Sequence, residues 1–289
     1  MYRTLFKTLP LAALALAGCV SDADPAATAA EDLIAEAADL PGPDGIKADQ
    51  VGALTPALRG FLKSYVVTVA EANTTNRDNL EQVRKVLLPA IALLAEDFAA
   101  NRPANELEIT RGIWKGIWDD SPSISDTNGP FTLDRDNVFQ VVEEGYYYNV
   151  SNQSVQFGPG PAQTTHSFLK GLYAVARPAG PDNAGELALN AIDLEFDETV
   201  FRPGPLPTDV NLRDMVVEID EWVTTGQGQG IPPNPSPGPK GRTGFLFNLY
   251  VDDGLRIAGG FDGEENPEFL QIFILRRAET ATPLAPYQP

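Results

Sequence analysis

The chain has 289 residues and a formal charge of −19, from 21 basic and 40 acidic groups. That balance repels nucleic-acid phosphates and anionic lipid headgroups, which argues against a nucleic-acid partner and against membrane attachment through a basic patch. A single cysteine and a single histidine leave no intramolecular disulfide and no ordinary zinc site, so no metal or other cofactor is expected; 43% hydrophobic residues provide for one filled core.

Arg3 and Lys7 open the chain, an apolar run from Leu9 to Ala17 follows, and Gly18 precedes Cys19. This is the charged, apolar, small-residue order of a secretion signal, and it is too short to cross a bilayer. Leu16-Ala17-Gly18-Cys19 also resembles the lipobox of bacterial lipoproteins, where the cysteine is acylated and becomes the mature N-terminus. The resemblance implies removal of residues 1–18, export, and anchoring to the cell envelope through Cys19. Val20 stands where an inner-membrane retention signal has Asp, so the outer membrane is the expected site, on its periplasmic or surface face. An ordinary signal peptide with an incidental cysteine is the alternative.

Residues 19–54 are rich in Ala, Asp, Glu, Pro and Gly and read as a flexible tether, with a short helix over Glu31 to Leu40. Residues 55–105 read as a helical segment. Thr55 is an expected N-cap before Pro56, and Leu62, Tyr65, Val66 and Val69 recur at helical spacing. A second helix is expected from near Asn76, with Leu87, Ile91, Leu94 and Phe98 on one face and a kink at Pro89. Both stripes read as packing surfaces.

From residue 106 to 280 short β-like runs alternate with turn residues. Gly and Pro, 25 each, fit such a turn-rich chain. The runs predict an antiparallel meander that closes into a barrel or packs as a sandwich. Asp252-Asp253-Gly254 predicts a hairpin turn of type I′. Residues 226–244 are Pro/Gly-rich and read as a surface loop, and residues 281–289 as a disordered tail.

Three blocks together resemble the plastid-lipid-associated protein, or fibrillin, family. They are Arg111 to Trp118, with its Gly112-Ile113-Trp114; Val138-Phe139-Gln140-Val141 with Asn149-Val150; and Leu249 to Ile257, like a closing Tyr-Leu-Asp-x-x-Leu-Arg-Ile signature. Gly259 departs from the family's second arginine, and Phe261 to Glu268 lengthens the last hairpin. The resemblance implies a mainly β fold with N-terminal α, a lipocalin-like antiparallel β-barrel preceded by two helices. It also implies a non-enzymatic protein that binds a small hydrophobic molecule or lipid in an apolar interior.

Four residues are the candidate ligand contacts: Arg256, Tyr250, Trp114 and Trp118. Arg256, between Leu255 and Ile257, can pair with a lipid carboxylate or phosphate, or with a structural acid. Trp114 and Trp118 have the same strand parity and are expected on one face, as cavity floor or as a plug of a barrel end. Tyr146-Tyr147-Tyr148 must alternate faces. His166 stands outside any Gly-x-Ser-x-Gly motif, and a hydrolase is the least favoured reading. The rival of the carrier is an envelope structural or interaction protein whose barrel is filled by its own side chains.

Overall fold

A computed structural model describes residues 54–121, 131–156, 160–175, 192–230, 232–235, 240–262 and 271–289. The signal segment, Cys19, the tether and its short helix lie outside these residues. The chain divides into two compact units, residues 1–104 with 286–289, and residues 105–285.

The first unit holds helices α1 (Pro56–Ala72) and α2 (Leu80–Ala100). Thr55 caps α1 as expected, its Oγ1 accepting the Leu58 N–H at 3.2 Å. Leu62, Tyr65, Val66 and Val69 are buried from α1, and Leu87, Ile91, Leu94 and Phe98 from α2. α2 begins later than the spacing predicted and continues as one helix through Pro89. Asp97 is buried in α2 and ties the pair together, accepting from Arg59 Nε at 2.8 Å and from the Leu54 N–H at 2.9 Å.

Among the described residues, the second unit is a nine-stranded antiparallel sheet with two helices. The strands are β1 (Gly112–Asp119), β2 (Phe131–Val142), β3 (Tyr146–Val155), β4 (Gln163–Val175), β5 (Ile192–Pro203), β6 (Asn234–Pro235), β7 (Thr243–Val251), β8 (Leu255–Asp262) and β9 (Gln271–Ala278). Their order is β4-β3-β2-β1-β9-β8-β7-β5-β6, and β4 also pairs with β5. The helices are α3 (Glu106–Thr110), just before β1, and α4 (Leu212–Thr225), between β5 and β6.

α4 was absent from the predicted elements, although its stripe is legible. Leu212, Val216, Ile219 and Val223 recur at four-three-four spacing; Asn211 caps the start and Gly226 ends it at φ 70°. Leu212, Val216 and Ile219 pack with Phe139, Tyr148, Val150, Phe168 and Val200 of the sheet. Ala281, in the Pro-rich tail, is buried in the same cluster.

Within the loop read over residues 226–244, Asn234–Pro235 forms a two-residue strand against Val200 and Phe201. The Asp252-Asp253-Gly254 hairpin forms where predicted but by another device. Gly254 does not take a positive φ, so the turn is not type I′. Asp252 Oδ1 instead accepts the Gly254 and Leu255 N–H groups at 2.9 and 2.8 Å.

Candidate functional site

Paired residues in adjacent strands point to the same face, so the registers sort the second unit's side chains onto two faces. One face carries Ile113, Phe139, Val141, Tyr148, Val150 and Phe168 and packs on α4. The other carries Trp114, Gln140, Tyr147, Asn149, Ser151, Asn248, Arg256 and Arg277.

Arg256 defines this second face. It is 1% exposed, donates from Nε to Asn248 Oδ1 at 2.8 Å, and donates from Nη1 to Gln140 Oε1. Gln140 is on β2, and β1 and β9 lie between β2 and β8. In a flat sheet that separation is about 14 Å, at about 4.8 Å per strand. Tyr147 on β3 and Tyr173 on β4 are also near enough to act on the Arg256 charge. The sheet therefore curls toward the Arg256 face.

Arg256 touches no carboxylate directly among the described residues. Asn248 stands between it and Glu106: its Nδ2 donates to Glu106 Oε1 at 2.8 Å and to Thr110 Oγ1 at 2.9 Å. Burial pulls the Arg256 pKa down to about 10, and the more distant Glu106 opposes the shift. The guanidinium stays cationic at neutral pH. A buried cation whose counter-charge lies one residue away is costly, and it favours an anion placed against its remaining N–H groups.

One end of this face is filled by α3 and Trp114. Trp114 is fully buried and its indole N–H donates to the Thr110 carbonyl at 2.7 Å. The Arg277 guanidinium lies 4.0 Å above the ring and donates to the carbonyls of Arg111 and Ile109, at 2.6 and 2.5 Å. Gly112 explains the Gly-x-Trp spacing. Its φ is +122°, and a Cβ there would meet Arg277 Nη1 at 2.5 Å. Trp114 is thus held by a backbone carbonyl and by the Arg277 cation stacked on its ring.

The four expected ligand residues do not converge. Gly116 pairs with Leu275 but Trp118 with Ile274, so one extra residue in β1 turns Trp118 to the face opposite Trp114. Asn248 pairs with Ala258 but Tyr250 with Ile257, so a second bulge turns Tyr250 away from Arg256. The Tyr250 hydroxyl donates to Asp252 Oδ2 at 2.8 Å. Arg256 and Trp114 share the concave face; Trp118 and Tyr250 lie on the other.

His166 and Ser167 also point to opposite faces, since they are adjacent on β4. His166 Nδ1 sits 2.9 Å from the Gly204 carbonyl, and its Nε2 is buried without a partner. Ser167 bonds Ser151 at 3.0 Å on the Arg256 face, so these groups do not form a nucleophile–base pair. Among the described residues no group of three His, Cys, Asp or Glu is placed to hold a metal ion.

Comparison with protein-family models, curated proteins and solved structures finds no match for this chain.

Proposed function

We propose that this chain is a non-enzymatic, fibrillin-like envelope lipoprotein that holds a small amphiphile, with its anionic head on Arg256, inside a lipocalin-like barrel. The observation that carries the reading is Arg256 itself: a buried, charged guanidinium on the concave face without a direct carboxylate partner. The additional β4–β5 pairing supports the barrel, because it links the start of the strand order to β5 near its end. A barrel of about eight strands has room for one small ligand. Burial of the ligand's apolar part would contribute about 25 cal/mol per Å². Acylated Cys19 would hold the protein at the membrane, and intact mass of the mature N-terminus tests that anchor.

To test the carrier reading, delipidated protein is incubated with bacterial lipid extract and the bound fraction is read by mass spectrometry. An acidic amphiphile is expected on the wild type and not on Arg256→Gln. Repeated recovery of lipid-free wild-type protein overturns the reading.

One observation favours the rival structural protein. Concave-face side chains bond one another, Gln140 to Asn149 at 3.1 Å and Gln153 to Ser167 at 2.7 Å, as in a self-filled interior. The same lipid-free result supports that rival.

A further inference from the structure

The concave face is not uniformly apolar. Next to Gln140 and Asn149, β3 and β4 place Ser151 opposite Ser167 and Gln153 opposite Thr165. Ser151, Thr165 and Ser167 are buried. Two hydrogen-bonded groups, Arg256–Gln140–Asn149 and Ser151–Ser167–Gln153, lie in succession along this face as one polar strip. The guanidinium donates to Gln140, Gln140 Nε2 donates to Asn149 at 3.1 Å, and one strand step further the Ser151 and Ser167 hydroxyls sit 3.0 Å apart. From Asn149 to Gln153 the strip runs about 13 Å, at about 3.3 Å per residue.

The strip keeps unused capacity. Among the described residues, Asn149 Nδ2, Gln153 Oε1 and Thr165 Oγ1 have no hydrogen-bond partner. The β7–β9 side of the same face is different in kind. There Leu246, Val251, Ala258 and Leu275 are presented, all buried. Arg256 and Asn248 therefore stand among apolar side chains of β7, β8 and β9, and the polar strip begins beyond them at Gln140.

We propose that the ligand is a facially amphiphilic acid: a carboxylate or similar anion at one end, hydroxyl groups along one long side, and hydrocarbon along the other. This rests on the carrier reading above and narrows it. A plain fatty acid would cover the strip with methylenes and strand its donors and acceptors, which disfavours it. A hydroxylated rigid acid satisfies both the polar strip and the apolar side chains and leaves its anion on Arg256.

The test uses three soluble probes with the same carboxylate: cholate, whose hydroxyls crowd one face; lithocholate, with fewer; and palmitate. Binding to delipidated protein is measured by calorimetry. Cholate is expected to bind at least tenfold more tightly than lithocholate or palmitate. The double variant Ser151→Ala/Ser167→Ala is expected to erase that preference, weakening cholate and strengthening lithocholate as the stranded hydroxyls are removed. Comparable binding of all three probes, each lost in Arg256→Gln, overturns the strip and leaves the carrier reading intact. No binding of any probe overturns the strip proposal, and the lipid-extract experiment then decides the carrier reading separately. An equal weakening of all probes in the double variant assigns Ser151 and Ser167 to structure alone and also overturns the proposal.

Discussion

The two faces of the sheet in the second unit handle polarity in opposite ways. On the α4 face an apolar cluster fills the space between strands and helix, and the charges at its margin meet opposite charges. Lys170 Nζ lies 2.7 Å from Asp220, which also accepts the Tyr148 hydroxyl at 2.8 Å, and Arg202 lies 2.7 Å from Glu218. Burial, reinforced by the Asp220 hydrogen bond, holds the Tyr148 hydroxyl far from ionisation. On the concave face the largest buried charge, Arg256, is met by amides, and its counter-charge Glu106 stands behind Asn248. The first arrangement is what a stabilising interface needs. The second costs stability unless an anion completes it, which is why the functional proposal rests there.

The largest break in this comparison is expected on the α4 face. Phe168 is fully buried at the centre of the cluster. Phe168→Ala is expected to cost about 3–5 kcal/mol in urea unfolding, through lost burial and the cavity left behind. The fraction that remains folded should still bind an acidic amphiphile, because Arg256 is on the other face. A loss below about 1 kcal/mol would show that α4 and the sheet do not form the main core of this unit.

A smaller effect is expected on the concave face at Gly171. Tyr147 pairs with Gly171 across β3 and β4, and a Cβ at Gly171 would collide with the Tyr147 ring. Tyr147 thus covers a glycine, which gives the middle ring of Tyr146-Tyr147-Tyr148 a place opposite its two neighbours. Gly171→Ala is expected to cost about 1–3 kcal/mol by overpacking. The double variant Gly171→Ala/Tyr147→Leu should recover most of that loss. Strict additivity of the two changes in denaturant unfolding would disprove the contact.

What was legible in the sequence divides along physical lines. Local signals were readable: the Thr55 cap, the helical stripes of α1 and α2, the Gly112-Ile113-Trp114 opening and the hairpin at Asp252. Parity was not. Counting alternate residues puts Trp114 with Trp118 on one face, and that count crosses a bulge that one strand alone does not announce. A bulge exists only relative to the partner strand, so a single sequence gives no measure of it. α4 was missed for another reason. Its stripe is only four residues, Leu212, Val216, Ile219 and Val223, and its burial depends on the sheet it packs against, which no local pattern shows. The role of Arg277 over Trp114 needed the β1–β9 register, a contact across more than 160 positions of sequence.

The smallest expected effect is a pH dependence on the α4 face, and it tests how dry that face is. His166 is the sole histidine, so its titration is read without overlap. It is 5% exposed and packs edge-on to Phe168, with ring centroids 5.5 Å apart. Burial pushes its pKa below the ordinary histidine value; the bond to the Gly204 carbonyl opposes the shift, and the Arg202 charge on the paired strand adds to it. The folded state therefore keeps the ring neutral at a pH where the unfolded chain, with an ordinary pKa of about 6.5, already binds a proton. The stability contribution is complete above about pH 6.5, and it declines as pH falls from there toward the depressed folded value. Denaturant unfolding between neutrality and about pH 5, above the carboxylate range, should show stability falling with pH. His166→Gln, which retains a side-chain donor for the Gly204 carbonyl, should flatten that slope. An equal slope in the wild type and His166→Gln would mean that protons reach His166 Nε2 without cost, and that the α4 face is wetter than its packing implies.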